Sequence, residues 1–243
     1  YLRRAHRANP DALVVATGCY AQRAKDDLSS MEAVSLVLDN RDKQILVSTV
    51  VAMFNAEADP SVENPPAAVW RSRAMVKIQE GCDQVCAYCI VPKVRGRERS
   101  IPPEEIIAEI SSRAAAGCRE AVLTGTQLGT YGFDLPGTDL QDLVARVLAE
   151  TPIDRLRVSS LQAQEITPEL LDMWQDRRLC PHFHIPLQSG SNAILRSMRR
   201  RYDTARFAET VELVRGKVPE AGITTDIIVG FPGEGAREFA ESY

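Results

Sequence analysis

Three cysteines lie close together in the segment EGCDQVCAYCIVP. Cys82, Cys86 and Cys89 have the spacing C-x-x-x-C-x-x-C, directly after a predicted strand. Thiolates are soft ligands that suit zinc or iron–sulfur clusters. A structural zinc site usually has four protein ligands, and no fourth Cys or His follows at zinc-finger spacing. The pattern therefore favours a four-iron cluster held by three cysteines, with one iron left open for a chelating cofactor.

Two alternatives remain for these cysteines: a zinc knuckle that borrows Cys118, or buried thiols without a function. In a reducing compartment, clustered cysteines bind metal more often than they form disulfides. The apolar run near Tyr1 is too short for a secretory leader, so we expect a cytoplasmic protein. The chain does not begin with Met, and we expect it to be part of a longer protein that continues at both ends.

The composition is that of an ordinary globular protein. The 243 residues are 44% hydrophobic and 26% charged, with a net charge of −4. This composition excludes a mainly disordered chain. No apolar run reaches the roughly 18 residues that a membrane helix needs. The acidic balance argues against a wholly basic nucleic-acid coat, but it leaves room for a local basic site.

The pattern of strands and helices predicts an α/β protein in two parts. Residues 1–56 alternate strand, helix, strand, helix, with Asn40 as the predicted cap of a helix that runs to Phe54; we interpret them as the remnant of a small N-terminal α/β domain. Residues 57–70 are polar and proline-rich, which is typical of a linker. In residues 71–243 strands alternate with helices, which implies a parallel sheet, and we expect a partial (β/α) barrel. Its predicted strands are MVKIQ, EAVLTG, RLRVSS, HFHIPL and GITTDIIVGF.

The cysteine loop resembles that of the radical S-adenosylmethionine enzymes. The resemblance implies a 4Fe–4S cluster on Cys82, Cys86 and Cys89 that binds S-adenosylmethionine and cleaves it to methionine and a 5′-deoxyadenosyl radical. It also implies that the aromatic residue before the third cysteine, here Tyr88, lies against the adenine of the cofactor. The reactive chemistry would then belong to the cofactor, while the protein binds and orients it.

Further segments, in the same order along the chain, resemble the methylthiotransferases within this superfamily. Three of them most resemble the branch that acts on threonylcarbamoyl-adenosine beside the tRNA anticodon: LTG-x-x-x-G-x-YG, SSL-x-x-x-EIT and M-x-R-x-Y. The same chemistry on isopentenyl-adenosine or on a ribosomal protein remains open. So does a different class, a non-catalytic, metal-stabilised RNA-binding module. The resembling segments are ATGCYAQ, KIQEGCDQVCAYCIVPKVRGRERS, LTGTQLGTYG, RLRVSSLQAQEIT, HFHIPLQSGSNAILRSMRRRY and TDIIVGFPGE.

The resemblance also implies a second 4Fe–4S cluster in the full-length protein. Cys19, in ATGCYAQ, matches the third of the three cysteines that hold it in the family, and the other two positions would precede Tyr1. We therefore expect that this chain alone does not hold the second cluster. Without the resemblance, a lone cysteine is more often a small buried apolar residue. Cys118 and Cys180 match no family ligand, and we expect both to be structural.

Other cofactor-binding residues are expected at the carboxyl ends of the strands, where barrel active sites lie. The resemblance implies that Gly125 meets the amino group of the cofactor. It also implies that Ser159 or Ser160 hydrogen-bonds a ribose, and that Gln188 orients cofactor or substrate. The alternative is that Ser and Gln only satisfy loop backbone groups. His182 and His184 share a strand face, and we expect hydrogen-bonding roles rather than metal binding for them.

Two basic stretches are candidates for contact with the phosphates of tRNA; the alternative is a solvated surface paired with carboxylates. Arg200 also fits M-x-R-x-Y, so a role in the active site is open for it as well. The remaining expectations are an electron donor such as flavodoxin or ferredoxin, a monomer, and no membrane partner. The basic residues are Lys93, Arg95, Arg97 and Arg99 in the first stretch, and Arg196, Arg199, Arg200 and Arg201 in the second.

Overall fold

The computed structural model describes residues 1–40, 42–53 and 72–243. The predicted linker, residues 57–70, lies outside the described residues. The chain divides into two compact units. One comprises the described residues of Tyr1–Ala68 together with Ile90–Gly96, and the other comprises the described residues of Val69–Cys89 together with Arg97–Tyr243.

The first unit is a small α/β arrangement around two parallel strands. Strand β1 pairs with β2 in parallel, with Val15 opposite Leu36. A small apolar core joins strand residues Ala16 and Val37 to helix residues Ala21 and Leu28. The elements are α1 (Leu2–Ala8), β1 (Val15–Thr17), α2 (Cys19–Arg23), α3 (Lys25–Ser29), β2 (Leu36–Leu38), a 3-10 turn (Asp42–Ile45), α4 (Leu46–Met53) and, later in the chain, α5 (Val91–Val94).

The predicted order of strand, helix, strand, helix is observed here, with two local differences. The predicted polar helix is split into α2 and α3, because the backbone at Ala24 departs from helical geometry. Asn40 does not cap the next helix. The backbone N–H of Asp42 donates to the Asp39 carboxylate at 3.2 Å, whereas the Asn40 side chain donates to the Val94 carbonyl at 2.7 Å. Asn40 thus ties the segment Ile90–Gly96 to the rest of this unit.

The second unit alternates strands and helices along the chain. Its elements are β3 (Arg73–Lys77), β4 (Gln79–Glu80), β5 (Arg99–Ser100), α6 (Pro103–Ala115), β6 (Glu120–Thr124), a 3-10 turn (Leu128–Thr130), α7 (Leu140–Glu150), β7 (Arg155–Val158), a 3-10 turn (Ala163–Glu165), α8 (Pro168–Asp172), a 3-10 turn (Met173–Gln175), β8 (His182–His184), α9 (Asn192–Ser197), α10 (Thr204–Lys217), β9 (Gly222–Thr224) and α11 (Ala236–Ser242).

The main strands of this unit are parallel and follow chain order. Strands β3, β6 and β7 form one sheet, and β8 pairs with β9. Isolated parallel bridges join Leu156 to Leu179 and Ser160 to His184, so β8 follows β7. The antiparallel pair of β4 and β5 flanks the loop that carries the clustered cysteines. This arrangement confirms the predicted α/β fold with a partial barrel.

The core lies between the strands and the helices that cover their outer face. Residues alternate in burial along β3, with Ala74 and Val76 buried. Helix α6 begins at Pro103, directly after Pro102, and proline suits a first turn that needs no backbone donor. Its residues Ile106 and Ile110 are fully buried. Burying side chains of this size stabilises the fold by about 1.5–3 kcal/mol each.

Side-chain caps set the starts of several helices. Thr167 caps α8, because its hydroxyl accepts the Leu170 N–H at 3.2 Å. Asp139 and Asp203 cap α7 and α10 in the same way. None of the helices in the described residues is both long and apolar enough to cross a bilayer.

Candidate functional site

A cavity of about 160 Å3 opens at the carboxyl ends of the barrel strands. The three clustered cysteines line it, together with side chains that follow β6, β7 and β8. The lining residues are Cys82, Gln84, Cys86, Tyr88, Cys89, Thr126, Gln127, Ser160, Leu161, Gln162, Glu165, Pro186, Gln188 and Arg200. The strand order therefore brings together residues that are far apart in the sequence.

The cysteine loop is held by backbone and charged contacts. Gly81 has a φ of 78°, a left-handed conformation that glycine adopts without strain. It turns the chain into the loop at Cys82, whose sulfur accepts the Gln84 N–H at 3.4 Å. The Asp83 carboxylate accepts from Arg97 at 2.7 Å, which ties the first residues of the loop to the strand that follows it.

The donor set of this cavity fits an iron–sulfur cluster. Burial raises the pKa of the Cys82 thiol, and a metal centre offsets such a shift because it binds the thiolate form. All three clustered thiols line the same cavity, and thiolates are soft ligands that suit an iron–sulfur cluster.

Tyr88 lies in the cavity, and Arg200 lies beside it. An Arg200 N–H donates to the Tyr88 hydroxyl oxygen at 3.3 Å, and the same nitrogen is 3.5 Å from the Cys86 sulfur. Burial raises the pKa of Tyr88 to about 12, so its phenol stays protonated at neutral pH. The Arg200 guanidinium also lies over the Tyr202 ring, 4.7 Å from its centre.

Amide side chains from three loops form a connected network on the other side of the cavity. The Gln162 side-chain amide donates to Gln84 at 3.1 Å and also to Gln127. Gln127 in turn donates to the Glu165 carboxylate. Because buried amides need partners, this network holds the loops after β6 and β7 in fixed positions.

Glu165 is the carboxyl group of this network. Burial raises its pKa to about 7, and its second oxygen accepts the Gln162 backbone N–H at 2.9 Å. Gly129 makes room for it, since a Cβ at Gly129 would meet the Glu165 side chain within 2.4 Å. The cavity therefore contains a carboxyl group that changes protonation near neutral pH.

The predicted cofactor residues Tyr88 and Gln188 line the cavity, whereas Gly125 and Ser159 do not belong to its lining. Their neighbours Thr126 and Ser160 line it instead. The close approach at Gly125 is to Leu128 and Gln79, since a Cβ there would lie 3.0 Å from the Leu128 side chain and 3.1 Å from the Gln79 carbonyl oxygen. The roles predicted for Gly125, Ser159 and Gln188 stay predictions.

The two histidines on β8 are hydrogen-bonded, as expected. The ring of His184 contacts the Thr224 hydroxyl at 3.0 Å and the Asp226 carboxylate at 3.1 Å. His182 contacts the same Thr224 hydroxyl at 3.3 Å. Cys180 is buried and Cys118 is half-buried, and neither lines the cavity.

Cys19 lies in the first unit, at the start of α2 directly after β1. A hydrogen bond from the Arg95 guanidinium lowers the pKa of the Cys19 thiol against the effect of burial. The thiolate, which is the metal-binding form, is thereby favoured. Arg95 belongs to the first predicted basic stretch, in which Arg99 also lies 3.6 Å from the Glu80 carboxylate.

Two features of the cavity are missing from the sequence-based list of site residues. Glu165 and its glutamine partners lie in the segments SSLQAQEIT and LTGTQLGTYG, which the resemblance singles out without assigning roles to these side chains. For Arg200, the sequence allows either a contact with a tRNA phosphate or a role in the active site. The structure places it at the cavity with Cys86 and Tyr88, and M-x-R-x-Y is the signal that pointed to it.

Residues 76–243 match the model of the Radical SAM superfamily. The match covers more than half of the chain. This chain belongs to the radical SAM superfamily. Among solved structures, it is similar to the cobalamin-dependent S-adenosylmethionine radical enzyme OxsB, with a TM-score of 0.66 and 12% identity over 99% of this chain and 40% of that chain. That likeness concerns the fold alone.

The chain is also similar to curated relatives that are named as tRNA-modifying enzymes. The chain is 36% identical to the threonylcarbamoyladenosine tRNA methylthiotransferase MtaB of Bacillus subtilis, over 100% of this chain and 57% of the relative. It is also 36% identical to the tRNA-2-methylthio-N(6)-dimethylallyladenosine synthase of Anaeromyxobacter dehalogenans, over 97% of this chain and 53% of the relative. This radical SAM chain thus spans just over half the length of these two relatives.

Proposed function

We propose that this chain is the catalytic part of a radical SAM methylthiotransferase that acts on threonylcarbamoyl-modified adenosine beside the tRNA anticodon. One observation carries the proposal: three thiols and an aromatic residue line a single cavity at the carboxyl ends of parallel strands. The curated relatives named as tRNA methylthiotransferases support it, because the match extends along the whole chain.

In this proposal, Cys82, Cys86 and Cys89 hold a 4Fe–4S cluster, and the same cavity receives S-adenosylmethionine. When bound, the cluster supplies the electron that breaks a carbon–sulfur bond of the cofactor, and the resulting radical opens a C–H bond of the substrate. The protein positions these groups and excludes water. The connected amides of Gln84, Gln127 and Gln162 suit this task, because they fix the cavity wall without adding a charge.

The other cofactor contacts are assigned from their positions at the strand ends. Tyr88 packs against the adenine, Gly125 and its neighbour Thr126 meet the amino group, and the Ser159–Ser160 pair hydrogen-bonds a ribose. Gln188 has a φ of 70°, which is uncommon for a residue with a side chain. This strained backbone turns the Gln188 side chain at the end of β8, as a residue that orients cofactor or substrate would require.

Cys19 is proposed as one ligand of a second 4Fe–4S cluster in the full-length protein. Its position after a strand and its lowered pKa support this role. The second cluster would supply the sulfur of the methylthio group, and a second S-adenosylmethionine would supply its methyl group. The proposed partners are tRNA and an electron donor of the flavodoxin or ferredoxin kind, and the proposed location is the cytoplasm.

The basic residues of the two stretches are proposed as tRNA phosphate contacts where they are exposed. Arg97 and Arg201 are exposed, so they are suited to this role. Arg200 is half-buried among cavity residues, which makes it a poor candidate for a phosphate.

Anaerobic reconstitution tests the first half of the proposal. We expect about four irons on the clustered cysteines, and reductive cleavage of S-adenosylmethionine to methionine and 5′-deoxyadenosine. One zinc per chain without cleavage would instead favour the metal-stabilised RNA-binding module.

Mass spectrometry of nucleosides tests the substrate. A deletion strain complemented with the whole gene should regain the methylthio group on threonylcarbamoyl-adenosine. A second candidate is the same reaction on dimethylallyl-adenosine, because relatives with that name match this chain at the same 36% identity. Recovery of that nucleoside alone, or of a modified ribosomal protein, would overturn the first assignment.

A further inference from the structure

The side chain of Arg200 joins the cysteine loop, residues 82–89, to Tyr202. One of its terminal nitrogens contacts the Cys86 sulfur at 3.5 Å and the Tyr88 hydroxyl at 3.3 Å. Its Nε donates to the Tyr202 hydroxyl at 3.1 Å. In the described part of the chain, these hydrogen-bond partners are a sulfur and two phenol oxygens, so the Arg200 charge faces the cavity without a hydrogen-bonded carboxylate.

The backbone before Arg200 is shaped to aim this side chain. Arg199 has a φ of 60°, a left-handed conformation that is unfavourable for a residue with a Cβ. This turn ends helix α9 and lets the Arg200 N–H donate to the Leu195 carbonyl at 2.9 Å. Such a helix end usually has glycine. Here Arg199 keeps the left-handed conformation although it has a side chain, and the next residue, Arg200, contacts the cysteine loop.

Tyr202 contacts Arg200 through both its ring and its hydroxyl. Its ring is buried and lies against the guanidinium, an arrangement that favours a cation. Its hydroxyl donates to the Leu187 carbonyl at 2.9 Å, next to Gln188. The Ala87 N–H of the cysteine loop also donates to the Met198 carbonyl at 3.0 Å. The loop is therefore fastened to residues 198–202 through both backbone and side chain.

We propose that Arg200 is a positioning residue that fastens the cysteine loop and raises the reduction potential of the cluster bound there, by placing a positive charge against the Cys86 sulfur. This inference rests on the proposed function, since it requires the cluster. A cation or hydrogen bond at a ligand sulfur stabilises the reduced, more negative state of a cluster. The contact with Tyr88 couples the same charge to the residue proposed to pack against the adenine.

The test is a redox titration of the reconstituted protein, followed by electron paramagnetic resonance. A Cys19→Ala background removes signal from any second cluster. Arg200→Gln should lower the reduced-to-oxidised ratio about tenfold at a fixed solution potential, which equals about 59 mV for one electron. Arg200→Lys keeps the charge but has a single donor group, so its potential should lie between wild type and Arg200→Gln.

Arg206→Gln is the matched control, because it removes the same charge from an exposed residue on α10 that has no proposed role. Its potential should equal that of wild type. The inference is overturned if Arg200→Gln titrates like Arg206→Gln. If Arg200→Gln does not retain iron, Arg200→Lys decides the matter, and a wild-type potential in that variant overturns the inference. If the unsubstituted protein assembles no four-iron cluster, the proposed function itself fails, and that result precedes any comparison of Arg200 variants.

Discussion

Two glutamates lie at opposite ends of the same barrel strands, and their carboxyl groups have pKa values shifted in opposite directions. Glu120 is the first residue of β6, at the amino ends of the strands. Glu165 lies after β7, in the cavity wall at the carboxyl ends. The pKa of Glu120 is lowered, whereas the pKa of Glu165 is raised to about 7.

The strand register explains the behaviour of Glu120. Arg73 on β3 and Arg155 on β7 lie directly opposite it, and Arg157 also pairs with it at 2.9 Å. Burial alone would raise its pKa, but these arginines outweigh burial. Charges at this end of the barrel are therefore matched within the fold, which is the arrangement expected where a barrel contributes stability rather than chemistry.

The carboxyl end has the opposite arrangement. Burial dominates at Glu165: its carboxylate accepts from amide and backbone groups, and the charge of Arg200 lowers its pKa by less than burial raises it. The Arg200 guanidinium itself donates to thiol and phenol groups. Ionisable groups that are buried beside a cavity and have shifted pKa values are typical of functional sites. The comparison therefore predicts that substitutions at the two ends will separate stability from cofactor chemistry.

The largest effect is expected from Cys89→Ala at the carboxyl end. Removing one of three thiolates should leave less than about a tenth of the bound iron and abolish reductive cleavage of S-adenosylmethionine, because the cluster has no spare protein ligand. Iron content and 5′-deoxyadenosine release measure the two effects.

Cys118→Ala is the matched control for the cysteine substitution. It also removes a thiol but lies outside the cavity, so it should keep iron and cleavage within about twofold of wild type. Equal loss of metal in both variants would favour a zinc knuckle that includes Cys118, and it would contradict a cluster held by the three clustered cysteines alone.

A smaller effect, on stability, is expected from Glu120→Gln at the amino end. The substitution removes a buried carboxylate from the mostly buried Arg157 and from the half-exposed Arg73 and Arg155. Solvent screens the two exposed pairs, so the free energy of unfolding should fall by roughly 2–3 kcal/mol, mainly through the Arg157 pair. Urea unfolding at pH 7 measures it. Iron content per folded chain should not change. A variant that kept its stability but lost iron would contradict the assignment of stability to the amino end and of cluster binding to the carboxyl end.

The smallest effect is the pH dependence contributed by Glu165. Its raised pKa means that the folded chain binds more protons than the unfolded chain between about pH 4.5 and pH 7, so the free energy of unfolding falls as pH rises through this window. Between pH 5 and pH 8 the fall should be about 2 kcal/mol. Urea unfolding across this range should show the slope in wild type and lose it in Glu165→Gln.

Glu169→Gln serves as the control for this pH effect, because Glu169 is an exposed carboxyl in the next helix. It should keep the wild-type slope. A slope that persists in Glu165→Gln would show that the carboxyl group in the cavity is ionised well below pH 7, as Glu120 is, and the contrast between the two ends would disappear.

Much of the fold could be predicted because its signals are local. The alternation of strands and helices predicted for residues 71–243 is observed. Helix α10, for example, runs from Thr204 to Lys217 with Asp203 as its N-cap, and its cap and helix-forming residues lie within a few positions of one another. The strand β9 is much shorter than its apolar run GITTDIIVGF. Its length is set by pairing with β8, which is a contact between distant segments.

The candidate site divides in the same way. The spacing of Cys82, Cys86 and Cys89 indicates a metal site without any structure, because ligands on one short loop need no other element to bring them together. Gly125 shows the limit of this reasoning. Its place at a strand end was predicted, but its close neighbours are Leu128 and Gln79 rather than the cavity, and only packing determines that.

The sequence by itself determined that three thiolates follow the first strand of an α/β barrel, because residue type and short spacing are properties of the chain alone. Only the tertiary structure decided which charges meet those thiolates. Arg200 and Cys86 are 114 positions apart in the sequence. They meet through a left-handed backbone turn at Arg199, and the residue type alone does not predict that turn. Contacts of this range depend on strand order and helix ends together, and these are set when the chain folds.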